Sequence, residues 1–308
     1  MLSNPRRGFG VACMIGAGLC WSLGGLIVRA FETSDTWLIV FWRSVFMALF
    51  VAVLLLLRAP QSALARVRGV GRAGVAAAAC LAVQIWFFIL ALTLTSTANT
   101  FVLMSVAPLM TAVVGRVALG ERVAPLTWAA IAVALAGIVI MFGADFGTGA
   151  GGHWLGNLLA LGIPFAYAVQ IVFVRRITGP TAAPPDLMPV ILIGGIFAAT
   201  PAAFLAGSLA VGGTDLALLA LMGCVQLGLG CYLMTLAVPH LRAAEIGLLS
   251  LIEPILAPVW VWLGVGEEPG IAALTGGALI LGAMFVNGYL TLKRETAPRQ
   301  SATSSRAG

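Results

Sequence analysis

Ten apolar stretches of about twenty residues recur along the chain, at 9–31, 36–57, 74–94, 97–119, 125–143, 155–177, 187–209, 216–238, 243–265 and 269–292, and they constrain its fold more than anything else in it. A helix rising 1.5 Å per residue needs a run of about that length to cross the roughly 30 Å hydrocarbon core of a bilayer. In hydrocarbon, only helices and closed barrels satisfy every backbone N–H and C=O. The expected fold is therefore an all-α polytopic membrane protein with ten transmembrane helices. With 61% hydrophobic and 9% charged residues, the chain lies far from the roughly 25% charged residues of a soluble domain. The connections are short and carry turn residues, as in FGTGAGGH at 146–153 and TGPTAAPPD at 178–186, and none can hold a soluble domain. The basic start MLSNPRRGFG imitates a signal peptide, but its apolar run continues to about Val28 with no small-residue cleavage site, so the first span is read as retained.

The positive charges then set an orientation. With the N-terminus in the cytoplasm, fifteen of the seventeen Lys and Arg residues fall on the cytoplasmic side, Arg29 falls on the other, and Arg43 lies within the second span. This is the positive-inside pattern. It places both termini in the cytoplasm of a multi-pass inner-membrane protein and accounts for the net charge of +6 without any nucleic-acid partner. Cys13, Cys20, Cys80, Cys224 and Cys231 all fall inside apolar runs without CxxC spacing, and read as small packing residues rather than disulfides or metal ligands. No metal and no cofactor is expected.

The chain also repeats itself at one fixed offset. Arg29 and Arg175, Pro108 and Pro254, Gly120 and Gly266, and Glu121 and Glu267 are each 146 residues apart. This divides the protein into a first five-helix unit (1–146), a second (147–294) and a polar, disordered cytoplasmic tail (295–308). Five is odd, so the second unit enters the membrane upside down relative to the first. Inverted repeats of this kind are typical of secondary transporters, with a site near the midplane between the repeats and access alternating between the two sides.

With these features in place, the FWRSVFMALF stretch opening the second span, SVAPLMTAVVGRVALGE closing the fourth and its counterpart LIEPILAPVWVWLGVGEE in the ninth resemble the EamA-type permeases of the drug/metabolite transporter superfamily. The resemblance covers about residues 9–292. It implies a cavity lined chiefly by spans 1, 3, 4, 6, 8 and 9, with spans 2, 5, 7 and 10 outside it.

Glu253 is the first candidate for function. It sits about halfway along the ninth span, where an ionisable residue is costly and by default faces the bundle interior or a water-filled path. Pro254 and Pro258 should kink the helix beside it. Such a group suits a proton carrier that substrate competes for, and no Na+ site can be read; the competing reading is a carboxylic acid that only holds the kink. Glu245, two turns earlier, is read as solvated or paired with Arg242. For Arg43, snorkelling or pairing with Asp35 or Glu32 is weighed against pairing with Glu253, since the two lie roughly 10 and 15 Å below the same edge at the helical rise. Glu121 and Glu267 each precede a helix starting near Pro125 or Pro269, and are read as structural caps for those helices. Trp21, Gln84, Asn99, Tyr167, Gln170 and Gln226 complete the candidate substrate site. Gln84 and Trp86 lie about 200° apart around one helix, so only one can face the cavity, and Gln84 is preferred. Six of the eight tryptophans, Trp260 and Trp262 among them, fall near span ends as an aromatic belt.

The leading expectation is a secondary transporter that exports a small metabolite, an amino acid or a related compound, acting as a monomer in the lipid bilayer and exchanging it for protons. Uptake or uncoupled exchange is the alternative within that class. An intramembrane lipid enzyme is the rival from another class; it lacks an HExxH motif, and the only histidines, His153 and His240, lie in loops on opposite sides. No GxxxxGK[ST] stretch points to ATP-driven transport.

Overall fold

The structure, a computed structural model, describes residues 5–58, 60–147, 153–178 and 186–296. Nearly all of the 178–186 connection and of the expected disordered tail lies outside the described residues, and every regular element within them is helical. The long helices, with one bent pair labelled together as α4, run in order α1 (Arg6–Arg29), α2 (Thr36–Arg58), α3 (Gly71–Leu94), α4 (Thr97–Met104 and Ala107–Leu119), α5 (Pro125–Gly143), α6 (His153–Arg175), α7 (Met188–Leu205), α8 (Gly213–His240), α9 (Ala243–Val265) and α10 (Ile271–Glu295). Nine of these are long and apolar enough to cross a membrane as they stand, among the described residues; α4 is a pair of shorter helices bent by 40°. The chain is thus a multi-pass helical membrane protein.

Two spans are broken by their prolines, and the position of each break follows from backbone chemistry. Proline has no N–H to give the carbonyl four residues earlier and crowds it, so the helix fails before the proline itself. In α9 the helical pieces are Ala243–Leu249 and Ile252–Val265. The Ser250 carbonyl that Pro254 cannot serve takes the Glu253 N–H instead, at 3.3 Å. The Ser250 hydroxyl donates back to the Gly247 carbonyl at 2.8 Å. In α4 the break precedes Pro108 in the same way, and Ser105 donates to the Val102 carbonyl at 2.6 Å. Both broken helices end on a left-handed glycine, Gly120 at φ 71° and Gly266 at φ 73°, where a side chain would be strained.

α1 and α9 lie side by side in one register. Arg7 with Glu245, Trp260 with Ser22 (3.0 Å) and Arg29 with Glu267 (2.6 Å) are all separated by 238 residues in sequence, so the two helices run parallel. Trp260 therefore turns inward onto α1, whereas Trp262 is exposed as a belt residue should be. α5 and α10 cross at glycines: a Cβ on either Gly137 or Gly276 would stand 2.6 Å from the other's carbonyl oxygen. Small residues allow this approach without a polar driving force.

Four ion pairs are sorted to the two ends. Arg7–Glu245, Arg66–Asp186 and Arg175–Glu121 pair at the end carrying the N-terminus, and Arg29–Glu267 at the other. Two sequence expectations need correction here. Glu245 is buried: it accepts the Arg242 backbone N–H at 2.9 Å, but its charge partner is Arg7. Glu121 and Glu267 do not cap the helices that follow them. Glu121 reaches Arg175, and Glu267 takes Arg29 and the Thr97 N–H at 2.7 Å, capping the first piece of α4. Following helices are near in sequence, but the free N–H groups and cations facing these carboxylates came from elsewhere in the bundle.

Candidate functional site

A cavity of about 240 Å³ lies within the bundle, just below the roughly 300–1,000 Å³ of typical ligand pockets, which limits it to a small molecule. Trp21 of α1, Gln84 of α3, Tyr167 and Gln170 of α6, Gln226 of α8 and Glu253 of α9 all line it. Its other walls are mainly apolar: Leu81, Ile85 and Phe88 of α3, Met104 of α4, Ile163, Ile171 and Val174 of α6, and Leu227 and Met234 of α8. α5 and α10 contribute no wall residue. Arg43 of α2 and Val190 and Ile191 of α7 do line the cavity, which corrects the expectation that α2 and α7 stand outside. Hydropathy cannot reveal this, because Val and Ile on a span look the same whether they face lipid or a cavity.

Asn99 is the one candidate that the structure places elsewhere. Its amide donates to the Thr95 hydroxyl at 3.3 Å and to Asn157 Oδ1 at 3.1 Å, and Thr95 donates to the same Asn157 oxygen at 2.8 Å. This is a polar tie between the α3–α4 corner and α6, outside the cavity. It is possible because Gly156 lets α6 approach; a Cβ there would stand 2.7 Å from the Leu94 carbonyl carbon.

The polar walls form two clusters. Gln84 donates to Gln170 Oε1 at 2.8 Å and to the Cys80 carbonyl at 3.1 Å, joining α3 to α6. Trp86, on the other face of α3, donates to the Ala198 carbonyl of α7 at 3.0 Å, so of the two it is Gln84 that faces the cavity. The second cluster is centred on Gln226, which is buried in a π-helical stretch, Leu221–Leu229, inside α8. Its carbonyl oxygen accepts from Arg43 Nη2 at 3.2 Å, and its amide nitrogen donates to the Trp21 backbone carbonyl at 3.2 Å. Both ends of the amide are thus committed, which fixes its orientation. π-Helical turns inside α-helices are rare and concentrate at functional sites. Gly223 in the same stretch lets α8 press on α2, since a Cβ there would meet the Arg43 carbonyl oxygen at 2.5 Å and the Met47 nitrogen at 2.9 Å.

The two ionisable wall residues differ in kind. Glu253 is half-buried, and its carboxylate has no hydrogen bond or ion pair to any described residue. Arg43 is 2% exposed, lies 5.0 Å over the Phe88 ring, and leaves Nε and Nη1 without a partner. It is not paired with Asp35, whose carboxylate takes the Trp37, Leu38 and Gly207 N–H groups. Nor is it paired with Glu32 or Glu253. Cys231 also lines the cavity, and no sequence signal distinguished it from the other four cysteines. Among the described residues there is no cluster of His, Cys, Asp and Glu able to hold a metal ion.

The model of the EamA-like transporter family matches the chain twice, over residues 8–143 and 154–289. The chain belongs to the EamA-like transporter family. The two matches start 146 residues apart and end 146 residues apart, the same offset that relates Pro108 to Pro254. None of the curated proteins searched matches the chain. Eleven chains among the solved structures match. One of them, titled "Crystal structure of protein", is 19% identical with a TM-score of 0.65 over 94% of this chain and 100% of its own. At that identity the likeness speaks for the fold alone. This EamA-family protein is therefore a membrane transporter by family, with a small cavity among its helices.

Proposed function

We propose that the protein is an inner-membrane secondary transporter built from two inverted five-helix repeats, 1–146 and 147–294, with both termini cytoplasmic, and that it exports an amino acid or a related small amphipathic metabolite in exchange for protons. The two family matches at a 146-residue offset support the duplication. The ion pairs add to it: Arg29 and Glu121 of the first repeat pair with Glu267 and Arg175 of the second, each 146 residues from its counterpart. Side chains from both repeats line the cavity together, as a site between repeats requires.

The observation that carries the coupling is Glu253, a carboxylate on the cavity wall with no described partner, on a helix interrupted one turn before it. Proton and substrate can then occupy the same group by turns. The test is reconstitution in liposomes with a panel of labelled amino acids, first for counterflow and then for accumulation driven by a pH gradient. Glu253→Gln keeps the shape of the protonated acid and cannot titrate. The variant should insert normally, retain counterflow and lose pH-driven accumulation. Accumulation at the wild-type level by Glu253→Gln would remove this carboxylate from the coupling.

A further inference from the structure

Arg43 is a deeply buried charge with no counter-ion among the described residues. Four other arginines each have a carboxylate: Arg7 has Glu245, Arg29 has Glu267, Arg66 has Asp186 and Arg175 has Glu121. Arg43 is more deeply buried than any of them, yet it has one hydrogen bond, to a neutral amide, and the face of Phe88. Its Nε and Nη1 have neither a partner nor contact with water. Buried charges are normally paired, because desolvation without compensation is severe. The described carboxylates do not supply the missing anion: Asp35 holds three backbone N–H groups, Asp215 holds those of Glu32 and Thr33 at 3.0 Å each, and Glu253, on the same cavity wall, makes no ion pair or hydrogen bond with Arg43.

We infer that the anion comes from the ligand: the cavity takes a small molecule that carries a carboxylate and an apolar side chain or body, and the Arg43 guanidinium docks that carboxylate. This rests on the transporter reading above and specifies its substrate. Three features give the site its shape. Arg43 lines the cavity, and its one protein acceptor, Gln226 Oε1 at 3.2 Å, is the contact that a carboxylate would supplement or displace. Gln226 is held from behind by the Trp21 carbonyl, so it keeps its place while the guanidinium turns toward the ligand. Leu81, Ile85, Phe88, Ile163 and Ile191 form the apolar wall that would take the rest of the molecule. Guanidinium-to-carboxylate hydrogen bonds are charge-assisted and stronger than neutral ones, and a low-polarity wall screens them little.

The test compares ligands that share an apolar body and differ only in charge. 4-Methylpentanoate, phenylacetate and L-leucine are titrated against 3-methylbutylamine and phenethylamine, with apparent Tm of the purified full-length protein in detergent as the readout. The carboxylates should raise Tm with dose, and the amines should not. In Arg43→Gln the apparent affinity for the carboxylates should fall about tenfold or more, as loss of a charged hydrogen bond predicts, with Arg43→Lys intermediate. The wild-type comparison stands by itself if either variant folds poorly. No shift with any carboxylate, equal shifts with the matched amines, or undiminished carboxylate binding by Arg43→Gln would each overturn the inference. Carboxylate binding without counterflow in liposomes would support this site while refuting the transport reading, whereas counterflow of amines alone would do the reverse.

Discussion

Glu121 and Glu267 occupy equivalent positions 146 residues apart, and each holds an arginine from the other half of the chain, yet truncating them should have unequal effects. Glu267 and its partner Arg29 are 23% and 28% exposed, and Glu267 also caps the first piece of α4 through the Thr97 N–H. Glu121 and Arg175 are both 44% exposed, and Glu121 has no comparable backbone bond to a helix start. Losing an N-terminal cap costs about 1 kcal/mol, and a half-buried charged hydrogen bond adds about 1–2 kcal/mol more. Arg29 is not orphaned by the change, since it keeps the Leu92 and Thr95 carbonyls at 2.8 and 3.2 Å, which holds the total near 2–3 kcal/mol. An exposed pair such as Glu121–Arg175 contributes about 0–1 kcal/mol. At about 2–4 °C per kcal/mol, Glu267→Ala should lower the apparent Tm in detergent by roughly 4–12 °C, and Glu121→Ala by about 0–4 °C. Glu267→Gln should fall between them, because an amide oxygen still caps Thr97 but carries no charge. Equal losses at the two glutamates, or a Gln variant no better than Ala at 267, would refute the account of why the two ends differ.

Gly223→Ala should lower folded yield severely, because the new methyl meets backbone atoms of α2 at 2.5 and 2.9 Å and cannot be relieved by a side-chain movement; size-exclusion recovery in detergent reads it, and normal recovery would mean that α2 and α8 are not held so closely. For the proposed topology, a single cysteine at Gly179 on a cysteine-free background should be labelled only from the cytoplasmic side and one at Ser208 only from the periplasmic side. Periplasmic labelling at 179 would sink both the topology and the inverted repeat.

What the sequence made legible is what a bilayer makes costly. Gln84, Tyr167, Gln170, Gln226 and Glu253 stand out because a polar group in a span needs a partner or a water-filled cavity, and each of them lines the cavity. Asn99 carries the same signal but satisfied its need locally, with Thr95 and Asn157, an outcome that a one-dimensional pattern cannot separate from the first. The ion partners were hidden for a different reason. Arg7 and Glu245, like Arg29 and Glu267, stand 238 residues apart, and nothing in sequence proximity links them, whereas the next helix start is only a few residues from Glu121 or Glu267. For Arg43 the sequence offers Asp35 and Glu32 nearby and Glu253 at a similar depth; the structure pairs it with none of them, and Asp35 is committed to backbone N–H groups.

The shared register of α1 and α9 is fastened at three heights: Arg7 to Glu245 at one rim, Arg29 to Glu267 at the other, and Ser22 to Trp260 between them. α1 is not continuous across that middle fastening. Its helix stops at Ser22 and restarts at Gly24, so the pin and the joint sit at the same level, with about 22 Å of helix on one side and about 10 Å on the other at 1.5 Å per residue. A rigid rod fastened at both rims would transmit any loosening at one rim to the other. The one-residue interruption at the level of the pin marks the place where one arm could tilt while the other stays fastened, and the alternating access proposed above would need that independence if the two rims are never to stand open at once.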